Sequence, residues 1–482
     1  MFKYTSWWSI PLAAMLATPA PAQNLGVDMP ADPTPDVSFP TSETEINSWI
    51  FTPDYDNAAI YQHGWGVWAG LTAPSGTSAL GIDNALIYQT WLSPLGIYEL
   101  TIGNDTAPIL GLRQPLQHDK GGKGADLTAD AVANDAGLKV DYSVAEVVAY
   151  SPPSARHALT NKLLLTQTLE AYLEQGYDDI PSFPPATVNI KPVYKLISES
   201  DLNDVGGRSL YAMPAWPGTP DTSGWTTAEL AAGYPNTLWG QCTYIDMALT
   251  GPSAASGVDP TCDSPDDSSI YSVDDFIHIP VTQDDIAYFA ADFKQAGDSD
   301  AVTKIAVGDT LILVGMHVGT RETERWTWQT FWWAADPDAP NTPSSAAHAA
   351  ARPASLSTQA NHYAMATAYS MLIPAQPLNN GNNVGQLLPA YNPHLESTFG
   401  TGTFAGGTGP VVTPQGVVTT NLGVQSNCMT CHGLAGVGNP NAAYASNRYV
   451  ARNDPGFDGG LKVDFSFSIS SEAQPAPAPI AD

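Results

Sequence analysis

The spacing of apolar residues changes several times along the chain, and each change marks an element. From Ala155 to Asp178 leucines recur at helical intervals, which predicts one amphipathic helix. Three later runs alternate in strand fashion: Thr187 to Ile197, Leu311 to Val318 and Trp326 to Trp333. Pro192, which lacks an N–H for the ladder, points to an edge or a bulge in the first. Strict alternation puts Leu311, Leu313, Gly315 and His317 on one face, with Ile312, Val314, Met316 and Val318 on the other. It likewise separates Trp326, Trp328 and Trp332 from Phe331 and Trp333.

Weaker patterns fill the remainder. The run around His63, Trp65 and Trp68 reads as a helix or buried apolar element, followed by a strand at Trp91. A strand end precedes a short helix from about Thr282, and Asn361 to Leu372 predicts another helix. Gly206 to Asp267 is rich in Gly, Pro, Ser and Asp and reads as loops with few regular elements. The pattern predicts an α+β fold, loop-rich, with a β-rich middle and flanking helices. Its regions are 1–22, 23–180 (N-terminal α/β), 181–345 (β-rich), 346–470 (C-terminal segment) and 471–482, a disordered tail.

The first region has Lys3, an apolar stretch from about Trp7 to Ala17, and Ala20-Pro21-Ala22 before Gln23. That is the layout of a cleaved secretory signal, and the run is shorter than the roughly 20 apolar residues a membrane span needs. No later stretch is long and apolar enough to cross a bilayer, so a secreted, periplasmic chain without a membrane span is expected. Charge narrows the partners. With 18 Lys+Arg against 48 Asp+Glu, a net −30, the field repels nucleic acid and anionic membranes and favours a basic partner. Solubility alone also accounts for such a balance.

The four cysteines divide into two pairs. Cys242 and Cys262 lack the short spacing of a zinc knuckle, and in an oxidising compartment they are expected to form a disulfide; two buried thiols are the alternative. Cys428 and Cys431 lie in SNCMTCHGLAG, a Cys-x-x-Cys-His run. Two cysteines at this spacing reach the two vinyl groups of one haem edge as thioethers, and the adjacent His432 falls beneath the iron as axial ligand. A redox dithiol or half a zinc site are the competing readings, but the first favours a strand-to-helix context and the second needs more ligands nearby. One covalently attached haem c is therefore expected, making residues 346–470 a haem c segment.

The iron's other axial position has no local candidate, because neither Met nor His occurs after His432. His317 on its strand is the foremost metal-ligand candidate, followed by His362, Met365, Met371 and His63. Haem propionates call for basic donors. Arg448 and Arg452, four apart beyond the motif, are the expected cofactor-binding pair, with Arg321 and Arg325 as further candidates. The strand tryptophans are read as core packing before a haem wall.

The Trp65 segment, Gln89-Thr90-Trp91, GMHVGTRETERWTWQTFWW, the Asn392-Pro393 to Glu396 step, SNCMTCHGLA and the closing VDFSFSI together resemble one family. It comprises large secreted bacterial cytochrome c proteins with a single haem motif near the C-terminus. The resemblance spans most of the chain and implies no particular reaction. In the family pattern a strand histidine matches His317, and Glu-His follows the Thr-Phe pair where this chain has Trp332 and Trp333. The expected role is electron transfer in an oxidoreductase system, with a redox partner bearing a basic docking surface. A haem enzyme, peroxidase-like or oxidising a small organic substrate at an open distal site, and a haem-based ligand sensor are the alternatives.

Overall fold

The computed structural model describes residues 24–477, apart from 53–54, 105–131, 135, 284, 287–304, 377–384, 405–410, 414–415, 419–421, 439–444 and 447. The expected leader, 1–22, and most of the helix expected from Thr282 lie outside the described residues. In chain order the strands used below are β1 (Ala145–Glu146), β2 (Ala149–Tyr150), β3 (Val188–Ile197), β4 (Asn203–Val205), β5 (Arg208–Pro214), β6 (Cys242–Asp246), β7 (Ile270–Ser272), β8 (His278–Pro280), β9 (Thr310–Thr320), β10 (Thr327–Trp333) and β11 (Tyr363–Ala368). The helices are α1 (Asn57–Leu71), α2 (Pro152–Thr160), α3 (Thr166–Glu174), α4 (Cys428–His432) and α5 (Phe467–Glu472).

The fold is α+β, loop-rich, with its strands concentrated in the middle of the chain. Its centre is a seven-stranded sheet in the order β11-β10-β9-β3-β1, with β8 also paired to β9 and β2 to β3. All these pairings are antiparallel. The sheet takes strands from all three expected regions. Both of its faces are covered, which is why β9 and β10 carry almost uninterrupted apolar and aromatic runs. On one face α1 packs Trp68 onto Phe331, ring centroids 4.4 Å apart. On the other, Trp328 and Trp332 join a core shared with α2, α3 and the segment that carries Cys428 and Met429.

The register departs from strict alternation at one point. Leu313 lies opposite Tyr194 on β3, but Gly315 lies opposite Val193, so Val314 is an extra residue. A bulge of this kind reverses the faces, and Leu313 and Gly315 do not share a side as expected. The ladder is thus irregular next to Pro192, as its missing N–H requires. Gly315 serves close packing: a Cβ there would meet the Asn392 amide at 2.9 Å.

Four further expectations are corrected. The helix expected from Ala155 to Asp178 is two helices, α2 and α3, separated where Lys162 turns into the left-handed region (φ 51°) and Leu163 and Leu164 drop into the core. No strand forms at Trp91: Ile87–Thr90 is a 3-10 turn, and Leu92 makes only an isolated bridge to Tyr150 before the helix Pro94–Thr101. The helix expected over Asn361 to Leu372 is strand β11, in which Ala364 and Ala368 lie directly opposite Trp332 and Trp328. Small side chains are required beside those indoles, and tertiary packing overrides the weak helical preference of alanine. The stretch expected as loops, Gly206 to Asp267, contains β5 and β6 of a four-stranded sheet, β4-β5-β6-β7.

Cys242 at the start of β6 is disulfide-bonded to Cys262. The tail expected to be disordered from Ser471 is docked as far as 477. Gln474 exchanges backbone hydrogen bonds with Leu164 and Thr166, and the Tyr98 hydroxyl donates to the Pro475 carbonyl at 2.9 Å. Among the described residues no helix is long and apolar enough to cross a membrane.

Candidate functional site

The motif cysteines sit on α4, a short helix held by its flanks. Asn427 caps it, accepting from the Thr430 N–H at 3.0 Å, while its own amide group donates to the Ser370 and Leu388 carbonyls. Residues three apart on a helix share a face, so Cys428 and Cys431 present their sulfurs together. Both line one cleft with His432, of about 1180 Å³ counting space open to solvent. Its walls are largely apolar and aromatic, including Trp326, Trp328, Phe399, Phe404, Phe465 and Phe467.

His432 is held in one tautomer. A carbonyl can only accept, so Nδ1–H donates to the Phe465 carbonyl at 2.8 Å, and Nε2 carries the lone pair. Burial pushes the imidazole down to about 4, despite the opposing carbonyl bond, so it is neutral at ordinary pH. The Trp328 ring lies against it, centroids 4.1 Å apart, and Phe467 flanks it at 5.2 Å. Burial also pushes the Cys428 thiol well above its ordinary value; it remains a neutral thiol and donates to the Ala390 carbonyl at 3.0 Å.

His317 lines the same cleft. β9 brings it there beside Lys191, its cross-strand partner on β3. Its Nε2 lies 2.8 Å from Glu396 Oε1, and Glu396 Oε2 accepts from the Asn392 N–H at 2.7 Å. Burial pushes the Glu396 carboxyl up, but His317, the Asn392 N–H and Lys191 outweigh it and hold the group below the usual carboxylate value. As an ionised acceptor, Glu396 takes the Nε2–H of His317. Nδ1 is buried and has no hydrogen-bond partner. Lys191 pairs with Glu146, so this end of an otherwise apolar cleft is polar.

The other expected residues lie elsewhere. Arg448 forms a two-pronged pair with Asp454, and exposed Arg452 pairs with Glu324; neither lines the cleft. Arg321 binds Asp464, and Arg325 donates to the Val450 carbonyl and the Tyr449 hydroxyl. His63 is buried on the opposite side of the sheet between Tyr369 and Glu322. His362 stacks on Trp333, Met365 packs against Gly64, and Met371 sulfur accepts from the Val450 N–H. Of the proposed distal ligands, only His317 shares the cleft with the motif.

Glu396 and Lys191 were not singled out by sequence as site residues. Among 48 acidic residues no spacing marks Glu396, although it falls in the Asn-Pro step that carries the family resemblance. No family model matches the chain, and no curated protein or solved structure is detectably similar to it.

Proposed function

We propose that this chain is a periplasmic c-type cytochrome that holds one haem covalently and transfers electrons within an oxidoreductase system. One observation carries the reading. Cys428, Cys431, His432 and His317 line a single apolar-walled cleft, and each imidazole has one nitrogen hydrogen-bonded to a protein acceptor. Metal-ligating histidines are held in this way, by a carbonyl or carboxylate on the far nitrogen. The two thiols would add across the haem vinyl groups, His432 Nε2 would take the proximal position, and His317 would take the distal side. Haem bound there supplies an iron that accepts and releases one electron. The tryptophan and phenylalanine walls exclude water, and the −30 charge supports a redox partner with a basic docking surface. The likeness to large secreted cytochrome c proteins is in keeping with this role.

The polar end of the cleft favours a second reading. The His317–Glu396 and Lys191–Glu146 pairs would suit a haem enzyme or ligand sensor in which His317 is poised over a bound molecule instead of ligating iron.

One set of measurements separates these. Acid-acetone extraction should leave haem on the wild-type chain and remove it from a Cys428→Ala/Cys431→Ala variant; free extraction from wild type would end the proposal. With His317 as ligand, the ferrous protein is low-spin and binds carbon monoxide slowly, and His317→Ala opens the site. Fast carbon monoxide binding or peroxide reactivity in wild type selects the second reading.

A further inference from the structure

We propose that Asp464 is a positioning residue for His432, acting through the Phe465 carbonyl; the inference rests on His432 being the proximal ligand of the cytochrome reading. Asp464 and Phe465 are consecutive non-glycine residues in the left-handed region, with φ of 47° and 65°. An aspartate tolerates that conformation, but a phenylalanine does not adopt it unaided. The turn persists because it is tied down on both sides. Ser466 N–H closes it onto the Val463 carbonyl at 3.0 Å, and Val463 N–H reaches the Ala435 carbonyl at 3.1 Å, just beyond α4.

The Asp464 carboxylate makes the other ties. Oδ2 accepts from the Phe183 N–H at 2.8 Å and from Arg321 Nε at 3.3 Å, and Oδ1 accepts from Trp326 Nε1 at 3.4 Å. Arg321 directly follows β9 and its own N–H bonds the Thr187 carbonyl at 2.9 Å, while Trp326 directly precedes β10. The carboxylate therefore fastens a strained turn to the rigid sheet, and the strained turn aims the Phe465 carbonyl at His432 Nδ1. Strand β9 thereby supports both sides of the cleft, His317 directly and His432 through Arg321, Asp464 and Phe465.

Without the carboxylate the turn is free to relax towards ordinary negative φ, which swings the carbonyl away from Nδ1. A proximal imidazole that loses this acceptor becomes a weaker electron donor, and the ferric state is stabilised less. Asp464→Ala should retain covalent haem on a denaturing gel while its reduction potential shifts upward, lowering the ferric-to-ferrous ratio at a fixed potential roughly tenfold. Asp464→Asn, which keeps the shape and part of the accepting capacity, should shift in the same direction by less. It also serves as the test if the alanine variant does not fold.

A readout independent of haem is exchange of the His432 Nδ1–H proton, followed by NMR in the protein as purified. It should be slow in wild type and at least about tenfold faster in the variants, because the carbonyl acceptor is lost. Unchanged exchange in both variants overturns the role of Asp464 whether or not haem is attached. Absence of covalent haem in wild type, with exchange accelerated in the variants, overturns the cytochrome reading alone.

Discussion

The Nε2–H of His317 donates to Oε1 of Glu396 at 2.8 Å, joining β9 to the 3-10 turn Glu396–Thr398 that lies upstream of the motif helix. The bond fixes the orientation of the ring, and it does so with a charged acceptor, the stronger kind of hydrogen bond. It is also one of two ion pairs, with Lys191–Glu146, that make this end of the cleft polar.

Replacing Glu396 by alanine should therefore loosen His317 without touching α4. On the cytochrome reading with His317 as ligand, covalent haem should persist, while the hold of the imidazole on iron weakens by roughly 10- to 100-fold, the usual effect of losing an outer partner of a ligating histidine. Stopped-flow carbon monoxide binding to the ferrous variant measures this, and wild-type kinetics would remove Glu396 from the site.

Ala368 lies opposite Trp328, whose ring rests on His432. Ala368→Leu overfills that position and should destabilise the fold by roughly 1–3 kcal/mol. Urea denaturation gives the stability. A shift in the absorption spectrum of the folded variant would follow displacement of Trp328 against the imidazole, whereas unchanged stability would mean the indole has room to yield.

The Cys242–Cys262 bridge, with a sequence separation of 20, should contribute about 3 kcal/mol through loop closure. A Cys242→Ala/Cys262→Ala variant should melt earlier than wild type and, on the cytochrome reading, retain its haem spectrum, since the bridge belongs to the four-stranded sheet and not to the cleft.

Two histidines outside the Cys-x-x-Cys-His motif set a pH dependence. Burial pushes His348 down to about 4, and burial with the nearby Lys195 charge pushes His394 down to about 3. Unfolded, both protonate near 6.5, so the unfolded chain binds more protons below that pH and the folded form loses stability as pH falls from about 6.5 towards 4. Unfolding free energies from denaturation at pH 7 and pH 4.5 should differ by on the order of a few kcal/mol, and His348→Gln should flatten the slope. Equal free energies would show that these rings are solvated.

The reading of the motif is local. Cys428, Cys431 and His432 lie within one turn of chain, so their spacing states what they can reach whatever surrounds them. Strands β9 and β10 were legible too, because runs of β-branched and aromatic residues suit a strand buried on both faces. The disulfide partners followed from there being four cysteines, two of them in the motif.

Tertiary structure decided the rest. The alanines of β11 look helical in isolation, and only the indoles of Trp328 and Trp332 across the ladder require small residues in a strand there. The bulge at Val314 reversed a face assignment that alternation alone could not correct. His317 could be nominated from sequence, but its partner Glu396 and the anchor Asp464 could not, since nothing local distinguishes them from the other carboxylates. Their roles depend on which turns the sheet register brings against the cleft. That register is set by packing summed over every strand, whereas the Cys-x-x-Cys-His run carries its geometry in its own covalent spacing.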